Sequence, residues 1–369
     1  MQTYKIEQYF VQQAFTEKEL RKRQQGKQIA NERLLSLFVT RLVPEHPLCL
    51  VQFIHGINEH IGRYIPFAEY LASCGIAVVM HDLRGHGGSC LNERVTYMGE
   101  EPLEYLHNDV DIVYASYFQE APDCATMEIG EKDIPSIDPL PRYLLGFSMG
   151  ALIAGSYAGQ YDERLAGLLL AGLPHREPAL PLSLALGWVR FLSLFFGEAG
   201  RPFLLGAYSL LHYNRSFWRA GEKGYFLWLT EDEENRARYS SDPSCAKMLT
   251  ISAYRFLLTL VRDMYRPASW DVARPDLPIW LFSGEKDPIA GGEKWALDGE
   301  TFLSDMGYTH IDDRIFPGLR HEIFLDKNRQ SVWQEIADSI LATVEIEQAR
   351  LDALREKEAA AYTSLFEKS

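Results

Sequence analysis

The stretch RYLLGFSMGALIAGSYAGQY, Arg142 to Tyr161, decides the fold. Its first six residues are almost continuously apolar, as a strand buried on both faces of a parallel sheet must be. The turn Gly146-Phe147-Ser148-Met149-Gly150 sets small residues on both sides of a serine. Met149–Tyr161 then reads as a helix. A G-x-S-x-G turn between a strand and a helix forces its serine into a strained backbone. The Oγ is thereby raised above the sheet at a helix N-terminus, where the dipole favours developing negative charge. Ser148 is therefore expected to be a nucleophile.

Outward from this unit the pattern repeats. Apolar runs at Leu48–His55, Ile76–Asp82, Ala166–Gly172, Pro278–Ser283 and Ile311–Phe316 alternate with helix-like segments such as Tyr64–Ser73. That alternation means βαβ units and an α/β fold with a mostly parallel central sheet flanked by helices. Before Leu48 only Arg33–Val43 suggests a strand. Gln119–Pro141, rich in Pro, Gly and acids, reads as a surface loop. The alternation breaks over residues 173–264, which are dense in Leu, Phe, Trp and Tyr and read as a helical cap inserted between the nucleophile and acid strands. The expected organisation is a sheet domain over 1–172 and 265–345, the cap over 173–264, and a charged helical extension over 346–369.

A serine hydroxyl needs a base, and the base an orienter. In hydrolases of this architecture they follow in the order serine, acid, histidine. His321 lies in Phe316-Pro317-Gly318-Leu319-Arg320-His321-Glu322, just after the last expected strand, and is the best base. His310 precedes that strand, and His175 and His212 fall in the cap. Asp287, in Ser283-Gly284-Glu285-Lys286-Asp287-Pro288, follows the strand PIWLF and is the preferred acid; Glu285 competes with it. An oxyanion hole needs two backbone N–H groups, one from the residue after the nucleophile and one from the loop after an earlier strand. Met149 and Ile57, the latter in His55-Gly56-Ile57-Asn58, meet those conditions.

Composition narrows the function. The 369 residues are 47% hydrophobic and 24% charged, an ordinary globular balance. A formal charge of −14 argues against general nucleic-acid binding and against electrostatic docking on anionic membranes. Five cysteines at wide spacing, with no C-x-x-C, read as reduced thiols of a cytoplasmic protein. The opening residues lack the apolar run of a secretory leader. Ala179–Phe196 is near the lower length of a membrane span but contains Pro181, Gly187 and Arg190; it reads as a cap helix that leaves room for shallow, transient contact with a lipid surface. Nothing in the sequence speaks to oligomeric state.

HGINEHIGRY (His55–Tyr64) resembles the HGxxEHxxRY signature of monoacylglycerol lipases and bacterial lysophospholipases of the α/β-hydrolase superfamily, and HDLRGHGGS (His81–Ser89) is similar to their D-x-x-GHG-x-S loop. GFSMG, GEKDP and PGLRHE follow in the order of that family's nucleophile, acid and histidine motifs. WLTEDEENRARYSSDPSC (Trp228–Cys245) resembles a cap motif of its bacterial members. Phe147 and Ala151 depart from the His and Gly often found at those places. The resemblance implies the α/β-hydrolase fold, Ser148, Asp287 and His321 as the catalytic set, and Ile57 and Met149 as oxyanion donors. It also implies Glu59, His60, Arg63 and His86 as supports of nearby loops. It implies a serine esterase acting on a monoacylglycerol or lysophospholipid through an acyl-enzyme, with no metal and no organic cofactor. Phe147, Trp188, Phe191, Phe195 and Trp228 are expected to contact a lipophilic ester substrate. A short-chain carboxylesterase or a serine aminopeptidase on the same fold, using acids such as Glu231–Glu234, is the nearest alternative. A non-catalytic binding protein is the more distant one.

Overall fold

The structure, a computed structural model, describes residues 2–13, 35–90, 94–99, 103–120, 126–135, 138–291 and 293–366. The Arg142–Phe147 run is the centre of the sheet, and each of its six residues is buried. Numbered along the chain, the strands are β1 (Tyr4–Gln13), β2 (Leu37–Pro44), β3 (Cys49–Ile54), β4 (Ile76–His81), β5 (Thr126–Ile129), β6 (Arg142–Phe147), β7 (Gly167–Ala171), β8 (Ile279–Gly284) and β9 (Ile311–Phe316). Among the described residues they form one sheet in the order β5-β1-β2-β4-β3-β6-β7-β8-β9. From β4 to β9 every pairing is parallel, and β2 alone runs antiparallel to both its neighbours. This is the α/β architecture that the apolar runs imply.

Three differences from the sequence reading lie on the β5-β1-β2 side of the sheet. Tyr4–Gln13 is a strand whose partners are β2 and β5. Ile6, Gln8 and Phe10 on one face are exposed, as is Lys5 at its start, so its apolar signal is diluted. The strand expected at Arg33–Val43 runs over Leu37–Pro44, and residues 33 and 34 lie outside the described ones. Within the expected loop Gln119–Pro141, Thr126–Ile129 adds a short parallel edge strand by burying Met127 and Ile129.

Helices cover both faces: α1 (Ile65–Ser73), α2 (Leu103–Ser116), α3 (Met149–Tyr161), α8 (Glu293–Met306) and α9 (Arg329–Phe366). The helix after the serine, α3, has ten buried residues out of thirteen and so no polar face. Its small residues let it sit close to the sheet: a Cβ on Gly150 would stand 2.1 Å from the Ile54 carbonyl oxygen, and one on Gly146 would stand 2.2 Å from that of Gly150. Only glycine fits between backbones this close.

Between β7 and β8 come four further helices: α4 (Ala179–Phe196), α5 (Phe203–Arg219), α6 (Glu233–Ser241) and α7 (Ile251–Met264). α7 carries Phe256, Leu260 and Met264 into the same apolar cluster as α3, and Leu182 and Leu186 of α4 join it. The tail helix α9 crosses residue 345 unbroken, although the composition changes there. Leu351 is still buried, and Glu347 pairs with buried Arg274.

Candidate active site

Ser148 sits at φ 55°, ψ −116°, a backbone region rarely populated by residues other than glycine. Such a residue stores on the order of 1–3 kcal/mol of strain. The hold on it is visible: its N–H donates to the Ala171 carbonyl of β7 at 2.8 Å, and its own carbonyl accepts from Ala151 and Leu152 in α3.

The structure brings together the three side chains singled out in the sequence. His321 Nε2 lies 2.9 Å from Ser148 Oγ, and His321 Nδ1 lies 2.7 Å from Asp287 Oδ2. The other carboxylate oxygen of Asp287 accepts the N–H groups of Ile289 at 2.8 Å and Ala290 at 3.2 Å. Asp287 thus faces three donors, and its hydrogen bond leaves the His321 proton on Nδ1 and the Nε2 lone pair toward the serine. All three residues are buried. The competing Glu285 accepts the Gly318 N–H at 2.7 Å and so shapes the turn that leads to His321. His310 and His212 are exposed, while His175 Nδ1 donates to the Ile289 carbonyl at 2.7 Å. None of these three hydrogen-bonds to Ser148 among the described residues.

The loop after β3 passes beside the serine. A Cβ on Gly56 would lie 3.2 Å from Ser148 Cβ. Ile57 follows Gly56 in this loop, and Met149 follows Ser148 at the start of α3. The loop of Ile57 is fixed by neutral histidines. His55 Nδ1 donates to the Gly56 carbonyl and its Nε2 accepts from Leu83; His86 Nδ1 donates to the Arg84 carbonyl and its Nε2 accepts the Asn58 N–H at 3.0 Å. Burial pushes the His86 imidazole down to about 4, and drives His55 well below its usual range. The folded pKa of His86 lies below the unfolded value, so its stabilisation is complete above about pH 6.5 and is lost as pH falls toward 4. We expect His86→Gln, whose amide oxygen can still accept from Asn58, to flatten the pH dependence of the melting temperature in this window. The effect is worth about 3 kcal/mol at pH 4. Identical pH slopes for variant and wild type would refute the assignment.

Charges cluster on the opposite side of the same loop. Arg63 binds Glu322 through both terminal nitrogens, at 2.6 and 2.9 Å, and Glu59 at 2.7 Å. Glu59 in turn accepts the Gly56 N–H at 2.6 Å and the Tyr64 hydroxyl. His60, Asp242 and Cys245 have the ligand atoms of a metal site within 4.8 Å of one another. Their hydrogen bonds argue otherwise. His60 Nδ1 accepts the Gly62 N–H, so Nε2 carries the proton and donates to Asp242 at 3.0 Å. A cation on Nε2 would shift that proton to Nδ1, against another N–H.

Of the five residues expected at the substrate, Phe147 and Trp228 have rings centred 5.0 and 5.4 Å from the His321 ring. Trp188, Phe191 and Phe195 do not line an enclosed chamber. Trp188 stacks on Phe191 and Phe191 meets Phe195 edge to face along the outward face of α4, and Phe195 is 68% exposed. The inward face of α4 is filled by Leu182, Leu186 and Val189 instead. Composition shows that a helix is apolar on both sides; it does not show which side the protein covers. Sequence reasoning also missed Asn235 and Asn58, whose amides join the cap to the site.

The model of the Hydrolase_4 family, described as "Serine aminopeptidase, S33", matches residues 45–328. A monoacylglycerol lipase of Mycolicibacterium smegmatis is 25% identical over 302 residues, covering 80% of this chain and 89% of that protein. The human monoglyceride lipase is 31% identical over 124 residues, 34% of each chain. Among solved structures, a thermostable carboxyl esterase from Bacillus coagulans in complex with glycerol aligns with a TM-score of 0.69 at 21% identity, over 92% of this chain and 99% of that one. A soluble variant of the Saccharomyces cerevisiae monoglyceride lipase aligns with a TM-score of 0.59 at 16% identity, over 91% and 97%. These two share the fold.

Proposed function

The chain belongs to the Hydrolase_4 family of α/β-hydrolases, and from that premise we propose that it is a serine hydrolase cleaving a lipophilic carboxylic ester of the monoacylglycerol or lysophospholipid type. The observation that carries the reading is the unbroken chain Ser148–His321–Asp287 at 2.9 and 2.7 Å. In the proposed reaction His321 Nε2 takes the hydroxyl proton as Ser148 Oγ adds to the ester carbonyl. The N–H groups of Ile57 and Met149 receive the oxyanion. The imidazolium, steadied by Asp287, gives its proton to the departing alcohol. Water then attacks the acyl-serine by the same route, releasing the fatty acid. The chemistry needs neither metal nor organic cofactor.

The family description raises a peptidase, which would need a carboxylate for the substrate amine. The cap acids are otherwise engaged: Glu231 pairs with Lys286 at 3.0 Å, Asp232 caps α6, and exposed Glu234 pairs with Arg238 at 2.8 Å. The relatives named as lipases favour the ester.

The outward face of α4 and α5 supports contact with an anionic lipid surface. Leu180, Leu184, Leu194, Phe203 and Leu204 are each more than 60% exposed, far above the scatter of single apolar residues on ordinary surfaces. Among the described residues α4 is the one helix long and apolar enough to cross a membrane, by length and composition. Residues 174–228 also carry Arg176, Arg190, Arg201, Arg215, Arg219 and Lys223 against Glu177, Glu198 and Glu222, an excess of positive charge in a chain of net −14. An apolar face flanked by basic residues suits an interfacial helix. We expect wild type to sediment with phosphatidylglycerol vesicles and to hydrolyse a long-chain monoacylglycerol presented in them. Trp188→Glu/Phe195→Glu loses both by about tenfold or more while keeping wild-type turnover of a soluble short-chain ester. Equal vesicle activity in the two proteins contradicts lipid contact, and a preference for aminoacyl anilides contradicts the ester reading.

A further inference from the structure

Three segments far apart in sequence meet in one buried polar knot. The loop after β3 contributes Glu59, Arg63 and Tyr64; the histidine loop contributes Glu322; helix α6 of the cap contributes Asn235 and Tyr239. The Asn235 amide donates to Glu322 Oε2 at 2.8 Å and accepts from Arg63 Nη2 at 3.3 Å. The Tyr239 ring lies 4.9 Å from the Arg63 guanidinium carbon. Glu59, Glu322, Asn235 and Tyr239 are all at least 95% buried. One guanidinium therefore serves two carboxylates out of water. A carboxylate in that setting needs every donor it can find, and Asn235 supplies one that neither loop provides.

The knot ends on the reacting groups. Glu322 follows His321 directly, and the N–H groups of both residues donate to the cap, to the Trp228 and Leu229 carbonyls at 3.3 and 2.7 Å. Glu59 holds the Gly56 N–H, one residue before the proposed oxyanion donor Ile57. The cap reaches the same loop again through Asn58, whose amide donates to the Lys247 carbonyl at 2.8 Å and accepts the Lys247 N–H at 3.0 Å. The cap thus holds both the histidine loop and the oxyanion loop.

We infer that Asn235, a cap residue, is a positioning residue for this reaction: through Glu322 and Arg63 it sets His321 and the oxyanion loop relative to Ser148. The inference rests on the serine-hydrolase reading above. The cap is then part of the scaffold of the site as well as its cover. A misplacement of about 1 Å costs on the order of a hundredfold in rate, so loss of one knot member is expected to slow acylation tenfold to a hundredfold.

The test measures the rate of fluorophosphonate labelling at Ser148, together with kcat and KM on a soluble ester, for wild type, Asn235→Ala, Arg63→Lys and Glu234→Ala. Glu234 is an exposed residue of the same helix. The low-field proton resonance of His321 Nδ1 is recorded in parallel. Expected are tenfold to hundredfold slower labelling and lower kcat in Asn235→Ala and Arg63→Lys, with KM within twofold, a shifted His321 resonance, and wild-type behaviour in Glu234→Ala. If Asn235→Ala does not fold, Arg63→Lys decides. Folded variants with wild-type labelling and an unshifted resonance overturn the inference. Failure of wild type to label overturns the serine-hydrolase reading instead, and the His321 resonance then judges the knot by itself.

Discussion

Ser148→Ala is expected to lower ester turnover by about 10³- to 10⁶-fold and to abolish fluorophosphonate labelling, with the protein still folded. The size follows from the site's construction. Without Oγ there is no covalent route, and what remains is water attacking an ester held near two backbone donors. The fold tolerates the change because alanine keeps a Cβ and loses one buried hydrogen bond to His321. It does not relieve the backbone, which stays at φ 55°. Intact mass before and after labelling, with kcat on a soluble ester, checks the prediction. Turnover within tenfold of wild type would remove Ser148 from the mechanism and promote the binding-protein alternative.

Asp287→Asn is expected to cost about 10³- to 10⁴-fold in kcat with little change in melting temperature. The reasoning turns on the two donors behind the carboxylate. The Ile289 and Ala290 N–H groups require an oxygen at the Oδ1 position. The asparagine amide must therefore turn its NH₂ toward His321 Nδ1, which then acts as acceptor. The imidazole proton moves to Nε2 and faces Ser148, and a ring in that tautomer has no lone pair with which to take the serine proton. The flipped amide would set donors against two N–H groups. Comparison of kcat for Asp287→Asn with that for Glu285→Gln checks the assignment: a larger loss in Glu285→Gln would name the wrong carboxylate.

The interior strands and the three aligned side chains were legible in the sequence for a shared reason. A strand buried on both faces is apolar at nearly every position, so LCLVQFI and IAVVMH announce themselves despite Gln52 and His81; a parallel sheet places its chemistry where such strands end, which points to Ser148, Asp287 and His321. Tyr4–Gln13 was not legible, because a strand with an exposed face mixes Lys5, Glu7 and Gln8 with Tyr9 and Val11. That Trp188, Phe191 and Phe195 lie on the exposed face of α4 was not legible, because apolar character does not tell which face of a helix is covered. Asn235 was illegible for another reason: its partners Arg63 and Glu322 lie 172 and 87 residues away, and no local pattern encodes that meeting.

The bond between Ser148 and His321 has a consequence for how the protein comes to be active. It joins residues 173 positions apart, with the whole cap and three strands of the sheet in the intervening loop. Closing so long a loop is paid for in chain entropy and becomes favourable only after β7, β8 and β9 have docked. No N-terminal product of synthesis, and no folding intermediate lacking the last strand, can hold an activated serine. Ester hydrolysis thus reports completion of the fold, and the reactive centre is withheld from every species that precedes it.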